Sequence, residues 1–213
     1  LQWKMGGLRV ALVTPVVDDL SFGEGFGEGL TTDADSVIPQ IEARYVYKTD
    51  AFALDVFGGA NTYNIEENIS GEDDTVTAYI LGLGGETNFG PGYFKAQAFL
   101  ARNGAQMGDS TWGGDNSATV TAGQINDNDG WGGVAVIGFK ATDAMTIEGG
   151  IGYTSYELDK GDFDKDETIA YYINAMIDIV PGFFIVPEFG YYDYKENMAG
   201  VDEGSETYFG AKW

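Results

Sequence analysis

Apolar residues in this chain recur at every second position, and the repeat persists for almost its whole length. In the stretch 41–47, Ile41, Ala43, Tyr45 and Tyr47 fall on one side while Glu42 and Arg44 fall on the other. In 145–153, Met145, Ile147, Gly149, Ile151 and Tyr153 oppose Thr146, Glu148, Gly150 and Gly152. In 171–179, Tyr171, Ile173, Ala175, Ile177 and Ile179 alternate with Tyr172, Asn174, Met176 and Asp178. A period of two marks strands with one apolar and one polar face. No segment carries the i, i+3, i+4, i+7 stripe of an amphipathic helix, so the sequence predicts an all-β chain. Strands are expected near residues 7–16, 36–47, 51–62, 75–87, 92–102, 131–140, 144–157, 167–180, 183–195 and 204–213, after a stub at 1–5. Two of them, 75–87 and 131–140, are nearly apolar on both sides, which leaves their facing open.

The connections narrow the architecture. Short ones (Gly6-Gly7, 48–50, 88–92, 141–143 and 180–182) alternate with long, acidic, Gly-rich ones (17–35, 63–74, 103–130, 158–166 and 196–203). A soluble sandwich has no reason to keep that alternation. An antiparallel up-and-down transmembrane β-barrel does, with tight turns on one side of the bilayer and longer loops on the other. Most expected strands also run longer than the ~5–6 residues usual in soluble proteins, near the ~9–11 tilted residues that span a bilayer. Aromatics collect toward strand ends: Tyr45, Tyr47, Phe52, Phe94, Phe183, Phe184, Tyr191, Tyr192, Phe209 and Trp213. They are expected to form a girdle, where an amphipathic ring sits half wet at the headgroup level. Ordinary soluble-core packing could use the same aromatics, but it explains neither strand length nor loop alternation.

Composition removes function classes. With no Cys and no His, the chain has no disulfide framework, no Ser-His-Asp triad, no Cys-His pair and no HExxH zinc site. Eleven Lys plus Arg against 34 Asp plus Glu leave a net charge of −23, the wrong sign for a nucleic-acid binder. The run Gly23–Gly29 has Glu28 where a dinucleotide fingerprint needs its third Gly, and no Lys follows a Gly. Nothing here points to an enzyme.

The chain ends Glu206-Thr207-Tyr208-Phe209-Gly210-Ala211-Lys212-Trp213, with Thr207, Phe209, Ala211 and Trp213 on one face. A last strand closing on an aromatic resembles the C-terminal signature of Gram-negative outer-membrane β-barrels. In that group Phe209 and Trp213 would be the signal read by the barrel-assembly machinery. The whole chain looks like the C-terminal portion of a porin. The resemblance implies a bacterial outer-membrane location, contact with lipid and lipopolysaccharide, and a homotrimer. Strand parity puts Trp213 on the short-turn side and makes Leu1–Met5 the lower end of a descending strand. The count is then eleven, and single-chain bacterial barrels carry an even number. Either 1–213 is one barrel domain that forms part of a 16-stranded porin, or Leu1–Met5 is a lead-in to a complete 10-stranded barrel. In the first case the inward-folded constriction loop would precede Leu1.

If the apolar faces meet lipid, the opposite faces line a lumen. The expected pore-lining residues are Glu42, Arg44, Asp55, Lys95, Gln97, Glu148, Asn174, Asp178, Glu188 and Lys212. The acidic ones outnumber the basic, so the sequence predicts passive diffusion of small hydrophilic solutes with a weak cation preference. The alternative is a small closed barrel with a structural or adhesive role. No cofactor is expected. The acidic loop with Asp159, Asp162, Asp164 and Asp166 is not an EF-hand, because Glu167 takes the Gly position and Ile173 that of the final Glu. Weak Ca²⁺ or Mg²⁺ binding there, bridging to lipopolysaccharide, is the metal expectation, against a plainly solvated loop.

Overall fold

The computed structural model describes residues 1–14, 34–36, 38–65, 74–107, 116–121 and 124–213. Its strands are β1 (Gln2–Met5), β2 (Leu8–Val13), β3 (Ala34–Ser36), β4 (Gln40–Lys48), β5 (Phe52–Ile65), β6 (Asp74–Phe89), β7 (Gly92–Arg102), β8 (Thr119–Thr121), β9 (Gln124–Asn126), β10 (Asn128–Thr142), β11 (Met145–Leu158), β12 (Asp166–Val180), β13 (Phe183–Glu196) and β14 (Asp202–Lys212). Eleven of them form one antiparallel up-and-down sheet, ordered β1-β2-β4-β5-β6-β7-β10-β11-β12-β13-β14. The sheet is open, with β1 and β14 at its edges. The short β3 adds to β5, and β8 pairs with β9 as a separate hairpin. Leu1–Met5 is a paired strand and not a lead-in: Gln2 faces Ala11 and Met5 faces Leu8.

The short connections are tight turns. Gly6, Gly90 and Gly182 have φ of +56°, +56° and +85°, a left-handed backbone that glycine adopts without a Cβ clash. The upper part of the expected first strand (residues 15 and 16) and the loop 17–33 lie outside the described residues.

Register assigns every side chain to a face. One face carries Trp3, Leu12, Ile41, Tyr45, Leu54, Val56, Leu81, Leu83, Leu100, Ile137, Ile151, Ile173 and Phe209. These side chains are exposed; Leu83 is 58% and Ile137 59% accessible. Among the described residues, buried apolar side chains are few by comparison, and Tyr63, Val76, Ala78 and Ala118 form one small cluster. A soluble domain buries what this sheet displays, so the displayed face fits a hydrocarbon surround. On that face no charge occurs between Phe94 and Leu100 of β7, between Trp131 and Phe139 of β10, or between Ile169 and Ile179 of β12. The ten steps from Ile169 to Ile179 span about 33 Å along the strand, hence about 25 Å of height at a tilt of about 40°, the height of a barrel's apolar band. Charges return immediately above it, where Arg102 forks onto Asp129 at 2.6 Å through both Nε and Nη2.

Aromatics flank the band on both sides. Tyr47, Phe52, Phe94, Phe139 and Phe183 stand near the tight turns, with Tyr47 and Phe52 rings 6.0 Å apart. Trp131, Tyr153, Tyr171 and Tyr191 stand near the long loops. There Trp131 packs on Tyr153 at 5.0 Å and Tyr171 stacks on Tyr191 at 5.1 Å. Tyr45 lies one pleat above Tyr47, opposite Leu8 and Val56. Phe209 faces the same way but between the belts, level with Phe189 and Ile173. Phe184 and Tyr192 do not belong to the girdle. They pair with Asp178 and Ala170 on the opposite face, because adjacent residues of a strand point to opposite sides.

The connection after β7 departs from the expectation of an outward loop. Gly104–Met107 forms a 3-10 turn, and Met107 packs with Ala118 and Ile125 against Tyr63, Val76 and Ala78. Register puts those three on the polar face of β5 and β6. The described parts of the connection therefore lie against the inner wall. Buried asparagines hold them. Asn103, with φ +52°, donates to the Thr77 carbonyl at 3.0 Å and to Asp127 at 2.8 Å, and accepts from Asn128 N–H at 2.8 Å. Asn116 accepts from Gly104 N–H at 2.6 Å and donates to the Asn128 carbonyl at 2.9 Å. Part of an inward-lying segment thus belongs to this chain.

Candidate pore-lining face

The sheet curls toward its polar face. Gln2 on β1 and Gln97 on β7, with four strands between them, line one cavity of about 410 Å³ together with Arg9, Glu42, Arg44 and Met107. Strands sit ~4.8 Å apart, so a flat sheet would hold those two residues too far apart to share it.

All ten residues expected to line a pore occupy this curled-in face. The antiparallel register places Glu42 and Arg44 with Asp55, Lys95 and Gln97 two and three strands on, and Glu148, Asn174 and Glu188 in one row. Asp178 and Lys212 lie nearer the tight turns, opposite Phe184 and Val186. The face also holds residues that the sequence did not single out: Lys4, Arg9, Lys48, Glu86, Tyr93, Tyr172, Glu206 and Tyr208. Apolar residues share it too, among them Val46, Phe57, Phe99, Val134 and Val136.

Charge is sorted across the wall. Lys4, Arg9 and Arg44 stand side by side in one row, an arrangement that like-charge repulsion disfavours. Asp55 offsets it: Arg44 Nε donates to both of its carboxylate oxygens at 2.9 Å, and the guanidinium Nη2 bonds it as well. The other end of the wall, β11 to β14, is acidic, with Glu148, Asp178, Glu188 and Glu206. There Glu148 and Glu188 are held by neutral donors. Tyr93 and Tyr172 hydroxyls donate to Glu148 at 2.5 and 2.7 Å, and Tyr208 and Asn174 donate to Glu188 at 2.8 and 3.1 Å. Lys95 sits 4.6 Å over the Tyr93 ring.

Glycine makes room for these tyrosines. A Cβ at Gly138 would stand 2.1 Å from the Tyr93 ring, at Gly150 2.4 Å from Tyr172, and at Gly190 2.3 Å from Tyr208. Each ring lies across the glycine of the adjacent strand, flat on the wall, and its hydroxyl reaches the next carboxylate.

No family model and no curated protein matches the sequence. Among solved structures, the outer-membrane channel DcaP of Acinetobacter baumannii superposes with a TM-score of 0.70 at 13% identity, over 99% of this chain and 60% of that one. The fold is that of an outer-membrane β-barrel. This chain spans about 60% of the length of that channel. OmpT of Vibrio cholerae, an outer-membrane protein, matches at 12% identity over 82% of this chain and 61% of its own, with a TM-score of 0.45. The second likeness is too loose to bear on the fold.

The loop carboxylates do not converge. Among the described residues, no group of three or more Asp or Glu is placed to share a metal ion. Asp159 accepts the backbone N–H of Asp127 at 2.9 Å, Asp164 lies against Gly200, and Asp166 is buried at the start of β12, opposite Tyr156. Asp162 has no place in a shared cluster with them.

The tyrosines of the inner wall were missed for a physical reason. Alternation puts Tyr172 opposite Tyr171 and Tyr208 opposite Phe209, but Tyr suits both a girdle and a lumen, and one strand gives no sign that its ring reaches a carboxylate on the next. The usable signal was the inward glycines Gly138, Gly150 and Gly190, each of which leaves space for a ring from the next strand.

Proposed function

We propose that this chain forms wall strands of a bacterial outer-membrane porin that passes small hydrophilic solutes and ions by passive diffusion, without reaction chemistry. The observation that carries the reading is the sorting of the sheet: an uncharged apolar band outside, and charged and hydrogen-bonding groups on the face it curls around. Such a wall is stable only with lipid on one side and water or polar contacts on the other. The exposed edges of β1 and β14 favour closure by further strands into a larger barrel. The described parts of the connection after β7, around Asn103–Met107 and Asn116–Ala118, lie on the inner face and would narrow the lumen and so limit solute size.

Acidic and basic side chains of the inner face nearly balance. We read the weak cation preference as the work of the β11–β14 wall, where carboxylates lack ion-pair partners among the described residues. Trimer formation, contact with lipopolysaccharide and recognition of Phe209 and Trp213 by the assembly machinery rest on the resemblance alone. Planar-bilayer recording of the purified full-length protein tests the function. Discrete steps, with a reversal potential shifted toward that of the cation in a KCl gradient, are expected. No conductance would sink the channel reading and leave the small structural barrel.

A further inference from the structure

Three inward tyrosines are laid on the wall in a particular way. Tyr93, Tyr172 and Tyr208 each cover a glycine of an adjacent strand (Gly138, Gly150 and Gly190), so the wall side of each ring meets backbone, and Tyr208 also stacks on Tyr192 with ring centroids 5.8 Å apart. Their hydroxyls end on two carboxylates in the same row, Glu148 and Glu188, with Asn174 between them.

Phenol and amide donors orient a carboxylate without cancelling its charge. Each carboxylate accepts two such bonds and has acceptor capacity for about two more. Among the described residues neither Glu148 nor Glu188 has an ion-pair partner within 4 Å, unlike Asp55, which Arg44 neutralises; Lys95 attracts Glu148 from farther off. The wall therefore presents π faces beside fixed negative charge. The ring quadrupole and the carboxylate attract the same kind of group, a cation with an apolar skin. One such group already lies there: the ammonium of Lys95, 4.6 Å from the Tyr93 centroid. The faces of Tyr172 and Tyr208 repeat that environment one and three strands further round the wall from β11.

We propose that Tyr172 and Tyr208, with Glu148 and Glu188, form a lumen subsite for solutes that carry an organic ammonium group. The inference rests on the channel reading above and specifies a solute class for it. A hydrated alkali ion would gain from the carboxylates but little from the rings. An alkylammonium would gain from both.

The test uses purified full-length protein in planar bilayers, with choline as the probe and its uncharged isostere 3,3-dimethylbutan-1-ol as the comparison. Choline is expected to reduce the K⁺ current in a saturable way, and the isostere is not. Glu148→Gln with Glu188→Gln should raise the half-blocking choline concentration about tenfold, the change expected from losing about one strong cation contact. Tyr172→Phe and Tyr208→Phe keep the rings and release the carboxylates, so they should give a smaller rise. Heat-modifiable gel mobility checks that each variant folds, and the Phe pair serves if the Gln pair does not. Equal effects of choline and the isostere, or choline block unchanged in both pairs of variants, overturn the subsite. A channel that conducts but ignores choline refutes only this inference, whereas silence of the unmodified protein refutes the channel reading first.

Discussion

At the scale of residues, glycine decides where the inner wall is smooth. Gly190 and Gly210 sit on neighbouring strands of the same face, yet a Cβ at Gly190 would stand 2.3 Å from the Tyr208 ring while Gly210 has open space around it. Gly190→Ala should therefore lift Tyr208 off the wall and loosen its bond to Glu188, costing about 1–3 kcal/mol. Gly210→Ala should be close to neutral. Denaturant midpoints in detergent compare the two. Gly7 is a stricter case, because its Cβ would lie 2.2 Å from the Val46 carbonyl oxygen, which is backbone and cannot swing aside. Gly7→Ala should accordingly disturb the β2–β4 pairing, seen as a lower yield of the heat-modifiable form. The Arg44–Asp55 pair is half exposed, so its weight is electrostatic placement more than stability.

At the scale of elements, facing is the property with the largest energetic consequence. Val136 and Ile137 are adjacent on β10, the first toward Lys95 on the inner face and the second toward Phe94 on the outer. Ile137→Lys should cost about 2–4 kcal/mol in folding into bilayers, whereas Val136→Lys should cost little. Folding titrations into lipid vesicles measure both. Register alone separates these neighbours, since their own strand is apolar on each side. The folded-back connection is the second element with a functional reading. Asn103 ties it to β6 and β10 through three hydrogen bonds. Asn103→Ala removes these and should free the segment from the wall. Larger and noisier single-channel currents are the expected result, and an unchanged current trace would detach this segment from any narrowing role.

At the scale of the whole molecule, the strand ladder inverts the usual relation between burial and polarity, and that inversion is what a membrane-embedded β-barrel wall requires. Much of this was legible in the chain itself. The period of two and the alternating connection lengths dictated the antiparallel strands of the main sheet and their order, because a two-residue repeat admits only one apolar face and a tight turn joins only sequential neighbours. The facing of Glu42, Arg44, Glu148 and Asn174 was readable for the same reason: each lies between apolar residues whose side is unambiguous. The tertiary structure decided what the repeat leaves degenerate. It set the facing of 75–87 and 131–140, where both faces are apolar and only pairing to β5, β7 and β11 breaks the tie. It laid the rings of Tyr172 and Tyr208 over glycines across the ladder, Gly150 and Gly190, and turned Tyr192 inward opposite Ala170. It also folded the connection after β7 back over the lumen face, since Asn103, Asn116 and Asn128 find their partners only when distant strands are brought together. Alternation is a local property of one strand, while ring-on-glycine packing and loop return depend on neighbours that only the assembled sheet supplies.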